Sequence, residues 1–171
     1  MLKLTGIIGL ILSLGLFGIS KTTNLKTRIS LLEDYYEMVL TLKGQINYFK
    51  EPLPDMFKKI CQNSDSKAYL FIKELGDEIE QKGCYSSDFW SKKLIYIYKN
   101  NVLTKEDIEI MSYLGEFIGQ TDYDNQLQHF MYMENKLKKQ IENATYSYKS
   151  KGPMYNKIVF FIGAIIGIII I

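Results

Sequence analysis

Two hydrophobic stretches without a single charge, one at each end, constrain this chain more than any other feature. Residues 4–19 and 158–171 carry no ionisable side chain. As helices they extend about 24 and 21 Å, short of the roughly 30 Å hydrocarbon core of a bilayer. Adding Leu2 and Lys3 to the first, and residues 153–157 to the second, brings each near spanning length. Lys3 and Lys157 then stand where their amines reach the interface. A cleaved signal peptide is the alternative for the first stretch, but no A-x-A motif precedes Lys21. A buried helix is the alternative for the second, but 158–171 is apolar on every face, whereas a surface helix is amphipathic. The expectation is therefore an N-terminal transmembrane helix over 2–20, a polar domain over 21–152 and a C-terminal transmembrane helix over 153–171.

Basic residues orient that arrangement. Lys21, Lys26 and Arg28 follow the first stretch, and Lys139, Lys149, Lys151 and Lys157 precede the second. Outside the two stretches lie only Lys3 and the α-amino group. The positive-inside rule then places the polar domain in the cytoplasm of a cell-membrane protein. Both stretches also hold small residues at close-packing spacing: Gly163 with Gly167, and Gly9 with Ser13. Such pairs let helices approach closely in lipid, although glycine is also common in membrane helices generally.

Between the ends the pattern is helical. Leu25, Ile29, Leu32, Tyr36, Val39, Leu42, Ile46 and Phe49 recur every three or four residues until Pro52 and Pro54. A short helix with Met56, Phe57 and Ile60 inward follows, then one from Ser66 to Lys82 on Ala68, Ile72, Leu75 and Ile79, closed by Gly83. Ser86 or Ser87 caps a fourth with Trp90, Leu94 and Ile97. Thr104 with Asp107 has the form of a capping box and opens a fifth on Ile108, Met111 and Ile118, ended by Gly119. Asp122 begins the last, with Leu127, Phe130, Met133, Leu137, Ile141, Ala144 and Tyr148 inward. No segment sustains strand alternation. The fold class is all-α: a bundle of about six helices whose two longest are antiparallel and lead into the membrane helices.

The same residues leave little for chemistry. One His and two Cys supply neither a metal cluster nor a disulfide framework. The net charge of +2 lacks the basic footprint of a nucleic-acid binder, and no phosphate-cradling G-x-x-x-x-G-K-[ST] is present. No catalytic constellation is found, so no enzyme activity, cofactor, metal or small-molecule substrate is expected. His129 beside Phe130 reads as structural, and Cys61 and Cys84 as small packing residues.

One stretch is unusual. Gly115, Glu116, Gly119, Gln120 and Asp122, with Gln126 beyond, bring glycines, carboxyls and amides to one inter-helix corner. Gly44, Gln45 and Asn47 interrupt a helix face comparably. Helix termination and capping account for these residues; the alternative is a docking corner for a protein partner.

The runs Leu42-Lys43-Gly44-Gln45-Ile46-Asn47-Tyr48, Glu51-Pro52-Leu53-Pro54, Leu114-Gly115-Glu116-Phe117-Ile118-Gly119-Gln120-Thr121-Asp122 and Lys151-Gly152-Pro153-Met154-Tyr155 closely resemble the stage III sporulation protein AB family of endospore-forming bacteria. The resemblance covers the whole chain, both apolar ends included. It implies a component of the sporulation complex linking mother cell and forespore, in the mother-cell membrane around the forespore, encoded with a secretion-type ATPase. It also implies a helical domain similar to the cytoplasmic domain of type II secretion F proteins, whose Gly-Glu…Gly corner matches Gly115-Glu116-Phe117-Ile118-Gly119. This chain departs from those platform proteins in having one such domain and two terminal membrane helices. The expected role is a platform or adaptor docking the ATPase or other complex subunits; the alternative is an exported helical spacer in the intermembrane space.

Overall fold

Among the described residues the chain forms six helices: α1 Leu2–Phe49, α2 Leu53–Ile60, α3 Lys67–Lys82, α4 Ser87–Ile97, α5 Lys105–Phe117 and α6 Tyr123–Ile170. They were observed in a computed structural model that describes residues 2–49, 53–61, 66–99, 102–118 and 123–170. The side chains of 2–12, 14, 47–49, 123–124, 156, 159–160 and 163–170 lie outside the described set. Among the described residues every regular element is an α-helix, as the periodicity predicts.

The caps explain the boundaries. Ser86 Oγ accepts from Asp88 N at 3.2 Å and starts α4. Thr104 and Asp107 form a reciprocal capping box, with bonds of 2.8 and 3.2 Å, and Asp107 is fully buried in doing so. Gly83 closes α3 at φ 68°, a left-handed conformation that favours glycine. The start of α3 differs from its sequence reading. Ser66 occupies the N-cap position but makes no side-chain capping bond; Asp34 of α1 accepts from Ala68 N at 3.0 Å instead. A residue distant in sequence thus satisfies one of the orphan N–H groups of that first turn.

The chain divides into two compact units, one of residues 1–29 and 142–171, the other of 30–141. Within the second, α2 packs on α3, α3 on α4 and α4 on α5. Its core takes Leu32, Tyr35, Met38, Val39 and Leu42 from α1, and Phe130, Met133 and Leu137 from α6. Phe71, Trp90 and Met111 fill the space between. The α1 face is rotated slightly from its predicted position: Tyr35 and Met38 are buried, and Tyr36 is only half-buried. Both tyrosines are equally apolar in composition, so spacing alone does not choose between them. The choice falls on Tyr35 because its hydroxyl reaches the Met111 carbonyl at 2.7 Å. Similarly, Tyr98 rather than Ile97 is buried at the end of α4.

In the first unit α1 and α6 meet at Thr22, whose hydroxyl is 3.1 Å from the Gly18 carbonyl and 3.5 Å from the Gly152 carbonyl. Gly18 and Gly152 are buried there. Pro153 sits inside α6 without ending it. Among the described residues no helix is long and apolar enough to cross a membrane. Much of the two predicted spans, 2–20 and 153–171, consists of side chains outside those described.

Candidate functional site

Gly115 is placed by α5 against α4, and the contact is extreme. A Cβ at this position would lie 2.5 Å from Trp90 Cβ, 2.8 Å from Trp90 Cδ1 and closer still to Cγ. Only a residue without a side chain lets Trp90 come this close to the helix. Trp90 is itself fully buried, its Nε1 donates to the Met111 carbonyl at 3.1 Å, and it meets Phe71 edge-on with centroids 4.8 Å apart. Tyr85 closes the same corner by donating to the Gly115 carbonyl at 2.5 Å. Burial pushes the Tyr85 phenol well above its usual range, so it stays a neutral donor.

Gly115 is therefore covered by its own bundle, and Glu116 beside it is exposed. Ile118 is buried and ends α5 with its N–H on the Leu114 carbonyl at 3.2 Å. Gly119, Gln120 and Asp122 lie outside the described residues, and Gln126 is half-buried on α6. The Gly44 stretch has different surroundings. Gly44 has open space where a side chain would stand, Gln45 is half-buried, and the side chain of Asn47 lies outside the described residues. Lys43, next to Gly44, pairs with Glu134 of α6 at 3.0 Å. Of the described members, Gly115 thus lies at the α4–α5 crossing, and Gly44 stands one residue from the Lys43–Glu134 pair with α6.

Beside Gly115's helix an aromatic surface joins α5 to α6, which spacing did not reveal. The His129 ring stacks on Phe117 with centroids 4.7 Å apart, and its Nδ1 lies 2.6 Å from the Tyr113 hydroxyl. Tyr132 meets Tyr113 at 5.4 Å and is half exposed, as is Met131. A shallow hollow of about 280 Å³ runs along Glu106, Glu109, Tyr113, Tyr132 and Lys136. The sequence signal was available, since Tyr113, Phe117, His129 and Tyr132 fall on facing turns, but it required knowing that α5 and α6 pack.

The small residues of the apolar ends are divided in the same way. Ser13 is exposed, while Gly9, Gly163 and Gly167 have helical backbone with surroundings outside the described residues. The close approach that is visible uses Gly152 and Thr22 instead: a Cβ on Gly152 would stand 3.5 Å from the Thr22 methyl. Cys61 is half-buried with its thiol 3.2 Å from the Tyr69 carbonyl, and burial pushes that thiol up to about 11 despite the opposing Lys73 charge. Cys84 is exposed.

Compared with known proteins, the chain matches no curated protein and no solved structure. A family model described as stage III sporulation protein AB matches residues 3–171. That match covers essentially the whole sequence, so the chain belongs to the stage III sporulation protein AB family and is involved in stage III of sporulation.

Proposed function

We propose that the protein is a non-enzymatic, membrane-anchored adaptor of the sporulation complex between mother cell and forespore. Its two apolar ends hold it in the mother-cell membrane, and its bundle docks a secretion-type ATPase or another subunit from the cytoplasmic side. The observation that carries the anchoring is the exposure of large apolar side chains in the unit that joins the two ends. Leu16, Phe17 and Ile19 of α1 and Phe161 of α6 are each at least 60 % exposed, and Ile158 and Ile162 are also uncovered. Water penalises such a surface by about 25 cal/mol per Å² relative to an apolar surrounding, and exposed apolar patches of this kind mark membrane or protein contacts. The Thr22–Gly152 contact lies between the apolar stretches and the bundle in both helices.

Docking falls to the bundle, whose exposed Glu116, Met131 and Tyr132 supply polar and aromatic contacts. Two experiments test the reading. Full-length protein in detergent is expected to capture the co-encoded ATPase, and Glu116→Lys, at an exposed position, to weaken capture without shifting the melting temperature. Failure of the wild type to bind any complex subunit would remove the adaptor. In growing cells producing the full chain, a membrane-impermeant maleimide is expected to modify exposed Cys84 only after permeabilisation. Ready modification in intact cells would support the exported spacer instead.

A further inference from the structure

Charge is divided very unevenly between the two units. Residues 1–29 and 142–171 hold seven basic side chains and one acidic one, Glu142, whereas 30–141 hold fourteen basic and eighteen acidic. A nearly neutral chain therefore consists of one unit at +6 and another at −4. Total charge conceals this, and it becomes visible only when the fold assigns residues to units. In the basic unit Lys21, Lys26, Lys149, Lys151 and Lys157 are exposed. They border the uncovered apolar side chains in sequence on both helices, and Lys21 Nζ stands 5.4 Å from the Phe17 ring. Cations beside exposed hydrocarbon fit an anionic lipid surface, where the methylene stems lie in the apolar layer and the amines meet phosphate. A nucleic acid would satisfy the amines alone.

A hollow of about 410 Å³ gives the pattern a specific place, lined by Thr22, Tyr148, Lys149, Gly152 and Pro153. It lies where α1 and α6 touch, within one helical turn of Lys149 and Lys151. Pro153 has no N–H, so the Lys149 carbonyl one turn earlier lacks its helical donor. A headgroup bringing both a phosphate and hydroxyl donors matches the Lys149 amine and that carbonyl together.

We infer that this unit is an anionic-phospholipid site, with Lys149, Lys151 and Lys157 on α6 and Lys21 and Lys26 on α1 gripping headgroup phosphates and the hollow seating one headgroup. The inference rests on the anchored reading and adds selectivity among lipids to it. The test uses the full chain in uncharged detergent, titrated with phosphatidylglycerol or with phosphatidylcholine of the same acyl chains and observed by native mass spectrometry. Retention of phosphatidylglycerol is expected to exceed that of phosphatidylcholine roughly tenfold and to fall with added salt. Lys149→Gln/Lys151→Gln/Lys157→Gln is expected to erase the preference, and Lys92→Gln/Lys105→Gln in the acidic unit to preserve it; both sets are exposed, so folding is retained. Equal retention of the two lipids by a protein that stays in washed membranes overturns the lipid selectivity alone. Loss of the wild type from washed membranes overturns the anchored reading beneath it. Displacement of phosphatidylglycerol by inorganic phosphate or by a DNA duplex at matched phosphate concentration overturns the assignment to lipid.

Discussion

Gly115 and Trp90 show how much of this bundle depends on one missing side chain. Adding a methyl at Gly115 drives it into the root of the indole, which cannot swing away because Trp90 is held by Met111 and Phe71. Gly115→Ala is expected to cost about 3 kcal/mol or more, above the usual range for overpacking, read as a lower denaturation midpoint. A shift under about 0.5 kcal/mol would contradict the close approach. Two buried tyrosines make a paired test. Tyr35 donates to the Met111 carbonyl, so Tyr35→Phe is expected to lose about 1 kcal/mol. The Tyr98 hydroxyl is buried with no partner among the described residues, so Tyr98→Phe is expected to be neutral or stabilising. Equal losses for the two would show that Tyr98 is satisfied. The glycine itself was legible in the sequence as unusual, and its neighbour was not. Trp90 is 25 residues away on another helix, and periodicity says nothing of which side chain lies opposite.

At the scale of elements, local chemistry was the most readable. The Ser86 cap, the Thr104–Asp107 box and the Gly83 stop depend on residues within a few positions of one another, and sequence spacing carries that information. Asp34 capping α3 was invisible for the opposite reason, being a tertiary contact. Asp34→Ala is expected to destabilise by about 1 kcal/mol, and Ser66→Ala by less, which circular dichroism melts would separate. Glu134 ties α6 to α1 through Lys43 at 3.0 Å, with Lys138 of its own helix at 3.1 Å. The hydrogen bond from Lys43 comes first, and that from Lys138 second, in holding its carboxyl below the ordinary carboxylate range. A carboxyl lowered on folding adds stability above its unfolded value, and that stability drains away as pH falls through the folded one. Wild type is therefore expected to lose stability between about pH 5 and pH 3, and Glu134→Gln to lose less across that window while being weaker at neutral pH. Identical acid profiles would dissociate Glu134 from the α1–α6 link.

Taken whole, the molecule is a chain of two electrostatic characters. Its bundle is acidic and has a core built from ordinary helix faces; its joined ends are basic and present uncovered hydrocarbon. The family and, among the described residues, the all-α class and the six helices were legible in the sequence because they depend on periodicity, breakers and specific runs. The charge division was not, because the basic unit is assembled from both ends of the chain. The corner around Gly115 was only half legible, since a buried Gly115 and an exposed Glu116 stand side by side in one run. The claim on which the rest depends is that lipid covers the apolar ends, and alkaline carbonate extraction of membranes from cells making the full chain tests it most directly. The account predicts that the protein sediments with the washed membranes and enters the supernatant only with detergent; recovery of the intact chain in the carbonate supernatant would contradict it.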